Sequence, residues 1–217
     1  MPASRSNAPV MAIHQSLANT LPDAMTALRD GELIIVPTET VYGLAADASN
    51  AAAIERLYAL KQRPLSQPFS LLVADLSMAM RYGIFDDRAR ALAKAFWPGP
   101  FTLIVPLKTD APLCPVVQAS GKTVGLRVPD HQNTRALIAQ FDGALAAPSA
   151  NRTGAPAPTK GKDIAPFIRA GAAICLDDGP CQHGIASTLV DISGDNLKIL
   201  RQGSLTRDNI MEALPRP

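Results

Sequence analysis

Alternation of helix-like and strand-like segments predicts an α/β fold, with one twisted mixed β-sheet and helices flanking it. Two further observations support that class. No internal repeat is present, and no linker is long enough to separate two domains. The expected organisation is a loose tail over residues 1–12 and a single domain over 13–217.

The elements follow in order. "TLPDAMTALRDG" (20–31) reads as a helix with Thr20 as N-cap, an early Pro22 and a closing Gly31. "ELIIVPT" (32–38) is a short apolar strand. "NAAAIERLYALKQRP" (50–64) is a helix capped by Asn50 and halted by Pro64, with Ile54, Leu57, Tyr58 and Leu60 on its apolar face. "FSLLVA" (69–74) is a strand, and "DDRARALAKAFWPGP" (86–100) a helix ended by Pro98 and Gly99. "FTLIVPL" (101–107) and "TVGLRVP" (123–129) are strands, "NTRALIAQF" (133–141) a helix, and a short strand follows near 144–147. Strands at 172–178, 187–192 and 197–201 and a helix at 206–214 complete the chain.

Composition narrows the function classes. A 47% hydrophobic and 18% charged chain can bury a sizeable core. No apolar run reaches the roughly 18 residues of a membrane span, and "MPASRSNAPVMAIHQ" lacks the apolar stretch of a secretory signal, so a soluble cytoplasmic protein is expected. Cys114, Cys175 and Cys181 are odd in number with no CxxC, which argues against a disulfide framework or a zinc site. Cys181 and His183 lie in "DDGPCQHG", which reads as a loop rather than a thiol nucleophile with its base.

A net charge of +2 is too small for a general nucleic-acid binder, but its distribution is uneven. Residues 56–74, 111–129 and 143–162 contain no Asp or Glu. They carry Arg56, Lys61, Arg63; Lys122, Arg127; and Arg152, Lys160, Lys162. Convergence of these stretches would make a positive pocket suited to a small polyanion such as a nucleotide.

Familiar nucleotide and nucleophile motifs are missing. "SGKTV" (120–124) is not a P-loop, because Val116 stands where the first Gly is required and the segment alternates like a strand. Neither GxGxxG nor GxSxG occurs in a suitable place. An enzyme of this sequence is expected to work by holding reactants together.

Polar groups instead gather where strands end, the usual place for ligands in α/β sheets. "PTETVYGLAAD" (37–47) sets Thr38, Glu39, Thr40 and Tyr42 behind a strand. "KQRPLSQP" (61–68) offers Lys61 and Arg63, a point charge and a planar fork suited to phosphate. In "KTVGLRVP" (122–129), Thr123, Gly125 and Arg127 share a strand face, so Arg127 is expected to reach a cavity kept open by Gly125. "AAPSANRTGAPAPT" (146–159) brings Ser149 and Asn151 in a stiff, small-residue, acid-free loop.

"PTETVYGL", "KQRP", "TVGLRVP", "APSANRTGAPAPT", "STLVDI" and "ILRQGSLT", in this order and spacing, resemble the YrdC/TsaC family, the L-threonylcarbamoyladenylate synthases. The resemblance implies a YrdC/RibB-like fold and synthesis of threonylcarbamoyl-AMP and pyrophosphate from L-threonine, bicarbonate or CO2, and ATP with Mg2+. A partner transferase complex then makes t6A in tRNA. By the same resemblance, Lys61 and Arg63 are catalytic. Arg63, Gln67, Thr123, Ser149, Asn151, Ala157 and Arg201 contact ATP. Thr40, Arg127, Ala147 and Ser187 contact L-threonine. No protein metal site is implied. The implied partners are the substrates and the transferase complex proteins, with at most a weak tRNA contact and none to a membrane. Lys61→Ala or Arg63→Ala is expected to lower turnover strongly without unfolding.

The chain departs from the family pattern in places. Ala186 stands where an acid often precedes the Ser-Thr, and Leu72 where some relatives carry His. Ending at Pro217, it is expected to be the single-domain form, without the second domain that closes over the site in longer relatives. The competing readings are a YciO-like nucleotide-binding paralogue, a non-catalytic RNA-binding module, and a carbamoyladenylate-forming enzyme that does not use threonine. The intact K-x-R and S-x-N pairs, the modest net charge and the short chain argue against them in turn.

Overall fold

The structure, a computed structural model, describes residues 17–118 and 121–215. The tail expected over 1–12 lies outside the described residues. Helix α1 (Leu17–Arg29) begins before Thr20, so Thr20 lies inside it rather than at its cap, and Pro22 falls in its N-terminal half. Its end follows the expectation. Gly31 takes φ +75, and the amides of Gly31 and Glu32 return to the carbonyls of Leu28 (3.0 Å) and Ala27 (2.8 Å), closing the last turn.

Strand β1 (Ile34–Val36) pairs antiparallel with β2 (Gly43–Asp47), leaving residues 37–42 as the connecting loop. β2 is an addition to the expected elements. "GLAAD" has no β-branched residue, and its strand form comes from being held between β1 and another strand with nearly every residue buried. Helix α2 (Ala51–Lys61) is capped as expected, with Asn50 Oδ1 accepting from the Ala53 amide at 3.1 Å. It stops at Gln62, in the left-handed region at φ 51, two residues before Pro64. Its buried face runs through Ile54, Leu57 and Tyr58 to Lys61, while Leu60 is only partly covered.

β3 shrinks to Leu71–Leu72. A short α3 (Leu76–Ala79) precedes α4 (Asp87–Phe96), which Asp86 caps through the Ala89 amide at 2.8 Å. Next come β4 (Phe101–Pro106), β5 (Thr123–Arg127), α5 (Gln132–Phe141) and β6 (Leu145–Ala146). α6 (Pro166–Ala170), also unforeseen, leads into β7 (Ile174–Cys175), β8 (Thr188–Asp191), β9 (Lys198–Arg201) and α7 (Arg207–Glu212).

The strands form one mixed sheet in the order β7-β1-β2-β6-β3-β5-β4-β8-β9, which is the fold class the alternating pattern predicts. Helix α1 packs against β1, β2, β7 and α5. The core fills with β1, the alternating Phe101, Leu103 and Val105 of β4, and Leu126 of β5, all inaccessible to solvent. Among the described residues no helix is long and apolar enough to cross a membrane.

Candidate functional site

Successive side chains of a strand point to opposite faces. With Phe101, Leu103 and Val105 of β4 in the core, Thr102 and Ile104 face the other way. On β5 the same alternation presents Thr123, Gly125 and Arg127. β9 adds a bulge: Leu189 pairs with Arg201 and Val190 with Ile199, so Leu200 is an extra residue. Leu200 and Arg201 thereby both reach the same side of the molecule.

Two cavities adjoin there, sharing Pro68, Phe69, Ser70 and Leu189. One, of about 210 Å³, receives Arg63, Arg127 and Arg201 together with Thr102, Ser149 and Ser187. The other, about 230 Å³, is an apolar slot between Phe69, Leu71, Ile104 and Val117, with Thr123 and Gly125 in its wall. A Cβ at Gly125 would stand 3.0 Å from Ser70 Oγ, so the missing side chain is space the slot uses. Among the described residues, no acid lines either cavity.

Arg127 is buried and multiply bonded. Its Nη2 donates to Glu39 Oε1 at 2.7 Å and Thr40 Oγ1 at 2.8 Å, and its Nε to the Gly99 carbonyl at 3.2 Å. Glu39 Oε2 accepts from the Asp130 amide at 3.0 Å. Burial draws the Arg127 pKa down, and Glu39 opposes that. The loop that presents Glu39 is a hydroxyl turn, in which Thr38 Oγ1 donates to the Val41 carbonyl at 2.6 Å and sits 2.9 Å from Thr40 Oγ1.

Lys61 is placed differently from a surface phosphate grip. At 2% exposed, its ammonium donates to the Ser149 carbonyl, to the Asn151 carbonyl at 2.6 Å, and more weakly to Asn151 Oδ1 at 3.4 Å. Its own carbonyl accepts from the Thr153 amide at 3.1 Å and hydroxyl at 2.9 Å. Ser149 Oγ donates to Asn151 Oδ1, and Asn151 Nδ2 to the Ala155 carbonyl. Lys61 thus fixes residues 149–153 from beneath. Burial, reinforced by Arg63, pushes its pKa down to about 8.

Arg63 is held by the carbonyls of Gln67 (3.0 Å) and Pro68 (3.1 Å), with its guanidinium 5.2 Å from the Phe69 ring centroid. Arg201 donates to Ser187, through Nε to the carbonyl (3.0 Å) and through Nη2 to Oγ (3.1 Å), while Ser187 Oγ lies 2.7 Å from Thr102 Oγ1. Burial, then Arg127 and Arg63, lower the Arg201 pKa. Arg201, disfavoured by both Arg127 and Arg63 in a cavity that among the described residues has no acid in its wall, makes a site that an anion would relieve.

Of the residues singled out in the sequence, Arg63, Arg127, Ala147, Ser149, Ser187 and Arg201 meet in the smaller cavity, and Thr123 lines the slot. Thr40 stands behind Arg127, and Lys61 and Asn151 behind Ser149. Gln67 contributes its carbonyl to Arg63, and Ala157 lines neither cavity. The acid-free stretches converge only in part. Arg56 bonds the Gly31 carbonyl, while Lys160 and Lys162 line a separate groove of about 550 Å³ with Arg169 and Asp177. Ser70 and Thr102 were not singled out, although a Thr within an otherwise apolar strand is a readable signal. Leu72 and Ala186, the two departures from the family pattern, both line the cavity. Among the described residues, no group of three or more His, Cys, Asp or Glu is arranged to hold a metal ion.

Comparison with known proteins adds three findings. The Sua5/YciO/YrdC family model, described as telomere recombination, matches residues 26–203. A threonylcarbamoyl-AMP synthase of Bacillus subtilis is 41% identical over 86% of this chain and 54% of its own length, and one of Chromohalobacter salexigens is 36% identical over 85% and 99%. The crystal structure of Pyrococcus abyssi Sua5 complexed with L-threonine superposes with a TM-score of 0.84 at 32% identity, covering 89% of this chain and 56% of that one. The chain spans about half the length of the first of these relatives and of the Pyrococcus protein.

Proposed function

The chain belongs to the Sua5/YciO/YrdC family, and from that premise we propose that it is an L-threonylcarbamoyladenylate synthase acting in tRNA t6A formation. One observation carries the reading: Arg63, Arg127 and Arg201, from three distant segments, converge on a cavity that among the described residues has no acid in its wall, beside an apolar slot. The slot, about 230 Å³ and mostly apolar, offers the chemistry a nucleobase would use. The guanidiniums suit the phosphates, and Arg127, aimed by Glu39, suits a carboxylate.

The chemistry needs no protein nucleophile. The neutral amine of L-threonine and CO2 give a carbamate and release a proton; starting from bicarbonate, water is lost instead of the proton. A carbamate oxygen forms a bond to the α-phosphorus of ATP as the bond to the β-phosphate-bridging oxygen breaks, and pyrophosphate carries that electron pair away. Mg2+ brought with the ATP substrate would offset part of the phosphate charge, while Arg63 and Arg201 are placed to approach the phosphates. This chain's residues orient the reactants and stabilise the charge on the transferring and leaving groups. Ala147 and Ser187 border the threonine side, with Thr40 behind Arg127. Ser149 borders the phosphates, backed by Asn151 and Lys61. Transfer of the product to tRNA falls to partner proteins.

The experiment is pyrophosphate release from ATP, Mg2+ and bicarbonate, with and without L-threonine. Release that needs both threonine and bicarbonate supports the synthase. Threonine-independent release points to another carbamoylated substrate, and ATP binding without release to a non-catalytic paralogue.

A further inference from the structure

Tyr42 joins the two sides of the cleft. Its ring is wholly buried at the end of the 37–42 loop. Its backbone holds the nucleotide-side loop at two points: the Tyr42 amide donates to the Pro158 carbonyl at 2.9 Å, and its carbonyl accepts from the Ala150 amide at 2.7 Å. Its hydroxyl points to a different segment, the crossover from β7 to β8. The oxygen lies 2.7 Å from both Asp177 Oδ1 and the Gly179 carbonyl and accepts from the Asp178 amide at 3.2 Å.

That crossover runs from the edge strand β7 to β8, next to the opposite edge, and so passes the site on its way. It is pinned again by the Cys181 amide on the Thr159 carbonyl and the His183 amide on the Glu39 carbonyl, both at 2.8 Å. It then delivers Ala186 and Ser187 to the cavity wall. One residue therefore fastens the 149–158 loop by main chain and the 177–187 strap by side chain.

We propose that Tyr42 is a positioning residue with divided roles: its backbone holds the nucleotide loop and its hydroxyl holds the strap, so that the hydroxyl sets the affinity of the strap-side substrate while nucleotide affinity rests on the backbone bonds. This rests on the assignment of Ser187 to the threonine side. The hydroxyl has one proton for two acceptors, Asp177 Oδ1 and the Gly179 oxygen, and a filled orbital for the Asp178 amide. Tyr42→Phe removes all three contacts while leaving the backbone bonds to Pro158 and Ala150 in place.

The test uses the full chain with Tyr42→Phe and Asp177→Asn, singly and together. Threonine KM, kcat, ATP dissociation constant and amide hydrogen exchange are measured. Tyr42→Phe is expected to raise threonine KM at least tenfold and leave ATP affinity within twofold. Exchange should quicken at Asp178, Gly179, Cys181 and His183 but not at Tyr42 or Ala150. The double variant should add little to Tyr42→Phe alone, since both act on one contact. Equal losses in both affinities, or strap amides that exchange as in the wild type, would overturn the proposal. If the wild-type chain binds no threonine, the synthase reading fails on its own. The exchange pattern then still decides whether the hydroxyl holds the strap.

Discussion

The ammonium of Lys61 donates to the main-chain oxygen of Asn151 at 2.6 Å, across 90 residues of sequence. The K-x-R and S-x-N motifs are therefore one structural unit, in which the lysine holds the loop and the arginine faces the cavity. This separates two residues that the sequence treats alike.

Lys61→Ala leaves the carbonyls of Ser149 and Asn151 without their charged donor in a buried place. A cost of about 1.5–3 kcal/mol is expected, against little change for the partly exposed Arg63→Ala. Urea unfolding of both variants checks this, and turnover should fall in each. The sequence-based expectation is that neither change unfolds the protein; the buried contacts of Lys61 add to it a stability cost for Lys61→Ala.

The lowered Lys61 pKa, about 8, sets a pH dependence. Between that value and the ordinary lysine range the unfolded chain holds the proton more tightly, so this group's contribution to stability grows as pH rises through the window. Nucleotide binding acts in the opposite sense, because an anion beside the loop favours the ammonium. At pH 8.5, ATP binding should take up protons, and affinity should decline above about 8. Calorimetry in buffers of different ionisation enthalpy measures the uptake, which Lys61→Met should abolish.

Glu39→Ala removes what is, among the described residues, the only carboxylate bonded to the buried Arg127. Stranding a buried guanidinium costs about 3–5 kcal/mol, visible as a lowered urea midpoint. Glu39→Gln keeps an acceptor and should recover part of the loss in stability while threonine affinity stays reduced.

Gly125→Val fills the apolar slot from its wall, where Ser70 Oγ already stands 3.0 Å from the position of a Cβ. ATP affinity should drop at least tenfold while threonine affinity changes little. Paired binding titrations with a melting curve distinguish a blocked slot from a disturbed sheet.

β5 was legible because Val124 and Leu126 alternate with Thr123, Gly125 and Arg127, and β4 because Phe101–Val105 is an apolar run interrupted only by Thr102. The polar loops at 37–42 and 149–153 were legible because Thr, Ser and Asn cluster just after apolar runs. β2 was not, since Ala-rich "GLAAD" becomes a strand only through partners distant in sequence. Lys61 showed its charge in the sequence but not its burial, which depends on a loop about 90 residues downstream. Glu39 was seen as a pocket residue, yet its pairing with Arg127 follows from strand order, which periodicity does not encode.

The placement of Arg201 on the last strand of the sheet has a consequence for how the protein comes into being. A ribosome delivers the chain from its N-terminus, so the turn from residue 37, the Lys61 strut and the small-residue loop emerge long before β9. Until Arg201 docks beside Ser187, the anion cavity lacks one of its three guanidiniums and the bulged strand that frames it. Anion binding in that cavity is therefore expected only once the last strand has joined the sheet, so a nascent chain should acquire it late.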